Sequence, residues 1–540
     1  MEENSFWYKD AVFYEVYVRA YKDSSGNGIG DIQGLIQKLD YLKDLGVNCL
    51  WLLPIYPSPL VDDGYDISDY YGIHKDYGDE EDFKQLIEKA HNRDIRIIMD
   101  LVVNHTSNQH PWFQSARKSK KSPYRDYYVW SDTDQKYLGT RIIFIDHQSS
   151  NWEWDEVAGQ YYWHRFYAEQ PDLNFDNPKV QEEMKKIARF WFDMGIDGFR
   201  ADAVPYLVER EGTTNENLPE THEFLRELRQ MIDQDYPDKI LLCEANMWPE
   251  DVRPYFGEPS VAGRAEFHMG FHFPIMPRIY MSIRKGENTD MVEIMERTPA
   301  IPENCQWCIF LRNHDELTLE MVSEDDRQWM WHEYAPENRM RLNLGIRRRL
   351  APLLDNDRTK IELANSILFT MIGTPIIYYG DEIGMGDNIW LDDRDGVRTP
   401  MQWDSTAKAG FSDGDVLSFY SPINDQYPYD PKTVNVAKQQ SDKGSLYQTI
   451  KKMIAVHKAN KPFGWGGFTW INAGSKSIAA YLREYQDEKI LVLNNLSNTL
   501  QPVNLPFNIP NNAINLITNK ILIEEIVELP PYKYVWIKFP

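Results

Sequence analysis

The chain has 540 residues, 42% hydrophobic and 13% aromatic, with 83 acidic against 58 basic side chains and a formal net charge of −25. That length supports two or three domains with at least one large core, and that charge argues against nucleic acid or an anionic membrane as partner, because the long-range field repels both. No stretch has the apolar length of a transmembrane helix, and the acidic segment 1–10 lacks the apolar run of a secretory signal, so a cytoplasmic location is expected.

In chain order, 11–18 is a strand candidate and 32–45 an amphipathic helix ended by Gly46; strand 47–54, helix 80–92 and strand 95–103 follow. Short apolar strands without clean alternation, separated by helices, predict a parallel sheet covered by helices. Between 104 and 176 the rhythm breaks into an aromatic, polar stretch too long for a structureless loop, which predicts a small inserted domain. Alternation resumes with a helix over 178–195, where Val180, Met184, Ile187, Ala188, Trp191 and Phe192 recur at helical spacing, and with strand candidates at 197–203, 239–245, 265–271, 307–313 and 374–379. Added to the first three, these make the eight strands that close a barrel. The runs 477–483, 489–494 and 534–539 are short strands with turns between them. The expected fold is therefore a (β/α)8 TIM barrel over 1–103 and 177–472, with an inserted subdomain at 104–176 after the third strand and a C-terminal antiparallel β-sandwich domain at 473–540.

Cys49 and Cys243 fall in strand-like runs, where packing accounts for them, and Cys305 and Cys308 form a lone C-x-x-C with no second pair to complete a zinc site. The charged residues in the apolar strands need another account. Arg200 and Asp202 are two apart and share one face of a strand, where burial costs several kcal/mol unless each meets a partner. Other strands finish in Asn104 and His105, in Glu244, and in His314 and Asp315. In an α/β barrel such ends converge on one site. Carboxylates meeting among aromatic rings suit the cleavage or transfer of a sugar: one attacks the anomeric carbon, one donates and recovers a proton, and one stabilises the oxocarbenium-like transition state.

Asp100-Leu-Val-Val-Asn-His105, Gly198-Phe-Arg-Ala-Asp-Ala203, Leu242-Cys-Glu-Ala245 and Leu311-Arg-Asn-His-Asp315 resemble, in order, the four signature segments of the α-amylase superfamily, glycoside hydrolase family 13. The resemblance implies Asp202 as nucleophile, Glu244 as general acid and base, and Asp315 as transition-state stabiliser, with Arg200 keeping Asp202 ionised. It implies that His105 and His314 bond sugar hydroxyls, that Tyr65 stacks on the reactive glucose, and that Asp62 and Arg394 close the pocket around it. Phe166 and Gln170 would line the pocket from the inserted domain. The stretch 331–358, together with 205–212, 217–222 and 379–387, resembles the trehalose synthase branch of this superfamily. That branch implies interconversion of maltose and trehalose, with some glucose escaping. Tyr206 and Asn246 would grip the second sugar, and Arg141 with Glu316 would bar the entrance. An exo-acting α-glucosidase is the nearest rival. A non-catalytic binding or transporter subunit would be expected to have lost carboxylates that this chain keeps.

No organic cofactor is expected. The glycine-rich run Asp23-Ser-Ser-Gly-Asn-Gly-Ile-Gly-Asp31 offers the oxygens of Asp23, Asn27 and Asp31 and the Ile29 carbonyl to Ca2+, with Mg2+ as the alternative ion. A second calcium site is implied by the resemblance: Asn104, Asp172 and Glu209, with the carbonyls of Tyr206 and Leu207. The expected partners are small sugars, a second copy of the chain in a homo-oligomer, and a maltokinase carried on a separate chain.

Overall fold

A computed structural model describes residues 3–416, 418–522 and 526–540. Eight parallel strands form a closed barrel: β1 (Phe13–Val16), β2 (Cys49–Leu52), β3 (Arg96–Val102), β4 (Gly198–Asp202), β5 (Ile240–Cys243), β6 (Met269–Phe271), β7 (Gln306–Phe310) and β8 (Thr374–Tyr378). Each strand pairs with its neighbours in sequence, and β8 closes on β1. Seven of the eight strands are buried at every position, and β3 at all but its first, as strands covered on both faces must be.

Local chemistry delivers β4 into this barrel. Asn177 caps the helix Pro178–Met194 by accepting from the Lys179 N–H, proline occupies the first turn, and Gly195 ends the helix at φ 111°. Gly198 then begins the strand where a Cβ would lie 2.5 Å from the Ile240 side chain and 2.7 Å from its carbonyl oxygen, so only glycine lets β4 and β5 close up.

Two expected elements differ in detail. The helix expected over 32–45 is broken at Lys38 into Ile32–Gln37 and Leu39–Leu45, and both halves turn apolar residues inward. The strand expected over 265–271 reaches the barrel only at Met269–Phe271, because Ala265 pairs with Gly257 in the preceding loop.

The insertion after β3 holds the helix Pro111–Lys118 and a three-stranded antiparallel sheet made of Trp130–Ser131, Trp152–Asp155 and Gln160–Trp163. Its exit is laced back to its entry: the Leu173 N–H donates to the Asn104 carbonyl at 2.8 Å, and His105 bridges Asp172.

The C-terminal unit is a six-stranded antiparallel sheet with a two-stranded ribbon, Gln501–Pro502 and Glu528–Leu529. Its first strand, Gly467–Ile471, lies ahead of the boundary expected at 473. Period-two alternation gives the sheet two apolar faces. Ala479, Tyr481, Ile490, Val492 and Trp536 join the barrel's core, whereas Ile478, Ala480, Leu491, Leu493 and Ile537 form a second core with Val503 and Leu529 of the ribbon side.

Candidate active site

The carboxyl ends of the strands open into one cavity with about 840 Å3 of empty space, mouth included, which suits a disaccharide-sized ligand. Asp202, Glu244 and Asp315 all line it, with Tyr65, His105, Phe144, Phe166, Tyr206, Asn246 and Arg394.

Arg200 organises the floor. The β3–β4 register sets Asp100 directly beside it, and its guanidinium is buried among three carboxylates: it pairs with Asp100, donates to Asp202 Oδ1 at 2.7 Å, and pairs with Glu244. One cation therefore serves three anions, which corrects the expectation that Arg200 simply keeps Asp202 ionised. Burial pushes Asp202 well above the usual carboxylate range against the pull of Arg200, and the negative charge of Glu244 and Asp100 adds to the effect. Asp202 and Glu244 also hydrogen bond to each other. Ala203, immediately after the strand, adopts a left-handed conformation (φ 52°) rare for a residue with a Cβ, and its N–H reaches Glu244 Oε2 at 3.2 Å.

Asp315 sits opposite in a different field. Burial would raise it, but His314, Arg394 and Arg398 outweigh burial and hold it well below the usual carboxylate range. Arg394 Nη1 lies 2.8 Å and Arg398 Nη2 3.0 Å from its Oδ1. Arg394 also donates to Asp62 Oδ1 at 2.6 Å, and Gln170 donates to Asp62 Oδ2 at 2.9 Å. The expected Asp62–Arg394 pair is therefore formed, and both side chains line the cavity. Tyr65 stacks on His314 with ring centroids 5.4 Å apart. His105 packs against Phe166; burial lowers it to about 3, so its ring is neutral, and its Nε2 has no protein partner.

Arg141 and Glu316, expected together to bar the entrance, keep separate partners. Arg141 donates to Glu216 and Glu320, at 2.8 Å each, and to the Tyr206 hydroxyl at 3.2 Å. Glu316, beside Asp315, instead accepts from Asn343 at 3.1 Å. Asn343 sits at the tip of a hairpin, Arg341–Leu342 and Gly345–Ile346, that pairs with Leu317–Thr318 in the loop after β7. Asn246 donates to Thr318 at 3.1 Å, and its carbonyl oxygen is left unpartnered.

Sequence reasoning missed Glu15, Trp51, Phe144, Glu320 and Arg398. For Glu15 a signal existed, a carboxylate within an otherwise apolar strand. For Arg398 the arginine four residues beyond Arg394 was such a signal. Nothing local marked Trp51, which donates to Asp100 at 3.0 Å.

The two expected metal sites fit an ion unequally. Asp172 is buried and pushed up to about 8 by that burial, which Arg165 only partly offsets; its Oδ2 and the Oε1 of buried Glu209 have no hydrogen-bond partner. Two orphaned carboxylate oxygens beside the Asn104 amide form an oxygen donor set suited to Ca2+. In loop 23–31 the side chains already serve the loop: Asp23 accepts from Gly26 and Gly28, Asp31 from Ser24, Ser25 and Gly34, and Asn27 from Ile29. Among the described residues no three His, Cys, Asp or Glu side chains cluster as metal ligands, so either site needs amide, hydroxyl or carbonyl oxygens as well. No helix among the described residues is long and apolar enough to cross a membrane.

The closed barrel, the insertion after its third strand and the three carboxylates around one cavity define a glycosyl-transferring enzyme. Residues 15–466 match the family described as "Alpha amylase, catalytic domain" and residues 468–536 that described as "Maltogenic Amylase, C-terminal domain". The chain belongs to the α-amylase family. It is 53% identical over 511 residues to "Trehalose synthase" of Pimelobacter sp. (strain R48), covering 93% of this chain and 89% of that one, and 54% identical over 508 residues to "Trehalose synthase/amylase TreS" of Mycolicibacterium smegmatis, covering 92% and 86%. The solved trehalulose synthase MutB from Pseudomonas mesoacidophila MX-45 superposes with a TM-score of 0.79 at 29% identity, over 98% of this chain and 99% of that one. Within the α-amylase family the chain falls in the trehalose synthase branch, among sugar isomerases that act as intramolecular transglucosidases.

Proposed function

We propose that this enzyme interconverts maltose and trehalose by moving a glucosyl unit within one substrate molecule, through a β-glucosyl ester of Asp202. Ionised Asp202 attacks the anomeric carbon of the non-reducing glucosyl ring while Glu244 protonates the departing O4 of the second glucose. That glucose turns without leaving and presents its anomeric hydroxyl. Glu244 takes the hydroxyl proton, the oxygen attacks the ester carbon, and the Asp202 carboxylate departs. Two inversions give net retention. Asp315, held ionised by His314, Arg394 and Arg398, stabilises the positive charge that develops on the ring in both steps.

The observation that carries this reading is the shared guanidinium of Arg200. Asp202 and Glu244 contact the same cation and each other in one cavity, a spacing suited to double displacement and too tight for the ~6.5–9.5 Å that admits water in inverting enzymes. The Asp62–Arg394 ion pair, part of the cavity lining, would close the end beyond one glucosyl ring, which favours short substrates. Tyr206 and Asn246, which also line the cavity, would offer a hydroxyl and an unpartnered carbonyl to the second sugar. The Arg141 strap supports retention of that sugar, and imperfect retention yields free glucose. The relative named both synthase and amylase is consistent with such side hydrolysis.

Asn104, Asp172 and Glu209, with the Tyr206 and Leu207 carbonyls, would hold Ca2+ at the seam between insertion and barrel, neutralising the buried carboxylates there. Loop 23–31 would take a cation more weakly, since its hydrogen bonds already close it.

Incubation of the purified protein with maltose, followed by separation of the sugars, tests the proposal. Trehalose is expected as the main product and maltose as the main product from trehalose. Glucose as the main product from maltose would replace this reading with an exo-acting α-glucosidase.

A further inference from the structure

One buried carboxylate that does not line the cavity has no part in the reaction scheme. Glu15 is in the middle of β1, fully buried, in register with Trp51 of β2 and Tyr378 of β8. One of its oxygens, Oε1, accepts two hydrogen bonds from His314: one from the backbone N–H at 3.1 Å and one at Nδ1, 2.5 Å away. The other ring nitrogen, Nε2, lies 3.1 Å from Asp315 Oδ2 and 2.8 Å from the Tyr65 hydroxyl. The imidazole is thus held between two carboxylates, one at each nitrogen. A neutral ring has a single N–H and could satisfy only one of them; a ring that donates to both carries both protons.

We infer that Glu15 is a positioning residue that holds His314 as a doubly protonated imidazolium with its Nε2–H directed at Asp315, and so keeps the transition-state stabiliser ionised and correctly turned. Of the neighbouring charges, Asp100 adds negative potential at His314, Asp381, pushed up to about 7 by burial, faces Glu15, Arg394 and Arg398 face Asp315, Arg200 lies over the Tyr65 ring, and burial holds Tyr65 and Tyr378 neutral. Burial would strip His314 of its extra proton, but Asp315 and Glu15 outweigh it and bring the ring to about 9. Glu15 touches no substrate; it acts through His314. The inference rests on the proposed function only in taking Asp315 as the group that stabilises the transition state.

The test replaces Glu15 by Gln, which keeps the volume and an acceptor but removes the charge, and by Asp, which keeps the charge. Turnover of an aryl α-glucoside is followed against pH, so the first glycosyl step is read whether or not maltose becomes trehalose. Without the Glu15 charge His314 loses its proton at lower pH. For Glu15→Gln the basic limb of kcat/KM is expected to move down by about one pH unit, so the deficit against wild type grows toward about tenfold from near pH 7 to near pH 10, while Glu15→Asp leaves the limb in place. A Glu15→Gln profile parallel to wild type overturns the inference. If Glu15→Gln does not fold, nitrogen NMR of histidine-labelled wild type decides, with His314→Gln identifying the signal: a doubly protonated ring near neutral pH is expected, and a neutral one overturns it.

Discussion

Arg200 shows how one residue ties stability to chemistry. Its guanidinium faces Asp100, Asp202 and Glu244 in a buried site, so the floor carries more negative charge than the cation can neutralise. Burial raises Asp202, and a carboxyl whose folded pKa exceeds its unfolded value contributes stability below the ordinary carboxylate range that is lost as pH rises through the shifted value. Asp202→Asn should therefore melt at a higher temperature than wild type at neutral pH while losing at least about a thousandfold in kcat, and a lower melting temperature would contradict this account. Arg200→Met leaves the three acids without their cation and should destabilise by about 3–5 kcal/mol in chemical denaturation. Asn246→Ala removes the carbonyl offered to the second sugar; the fraction of glucose released from maltose should rise, and an unchanged ratio would remove Asn246 from the site.

At the scale of elements, the stretch 331–358 is not a basic surface. Arg347 donates to the carbonyls of Leu391 and Asp393, Arg348 shares its Nε–H between the two oxygens of Asp387, and Arg349, fully buried, reaches the carbonyls of Tyr379 and Val397. Three successive arginines thus clamp the loop after β8 that carries Arg394 and Arg398. The seam between insertion and barrel is laced differently, by the Leu173 N–H donating to the Asn104 carbonyl, and it leaves oxygens of Asp172 and Glu209 unpartnered. Added Ca2+ should raise the melting temperature and a chelator lower it, and Glu209→Gln should blunt both responses. The strap is a separate device. Arg141→Ala frees Glu216, Glu320 and Tyr206 from their shared cation, and more glucose per trehalose is the expected product pattern.

For the whole molecule, the C-terminal sheet is part of the barrel's structure. Arg483 from that sheet donates to the carbonyls of Thr370 and Met371 at the end of the helix Arg358–Thr370, and to those of Phe463 and Gly466, so a guanidinium satisfies groups a helix end leaves open. Beside it, Trp536 is buried against Phe463 and donates to Ser366 at 2.8 Å. Trp536→Ala should cost about 3–5 kcal/mol, read as a fall in melting temperature. The active-site cavity lies elsewhere, so turnover well below that temperature should be nearly unchanged.

The order of strands and helices, the insertion and the motifs at the strand ends were legible in the sequence, because periodicity, caps and the burial pattern of a short strand depend on residues a few positions apart. Asp202, Glu244 and Asp315 could be named on that basis, and the structure brings them to one cavity. The partners those residues keep could not be read. Glu15 meets His314 across 299 positions, Arg394 meets Asp62 across 332, and Arg141 passes over Glu316 to reach Glu216 and Glu320. Such contacts follow from closure of the barrel and from how far each loop projects over its rim, and no local pattern encodes either. The sequence alone thus determined which chemistry was present. Only the tertiary structure decided how one arginine is divided among three acids and which buried carboxylate stands behind the histidine, because pairing in a low-dielectric interior depends on distances that exist only once the chain has folded.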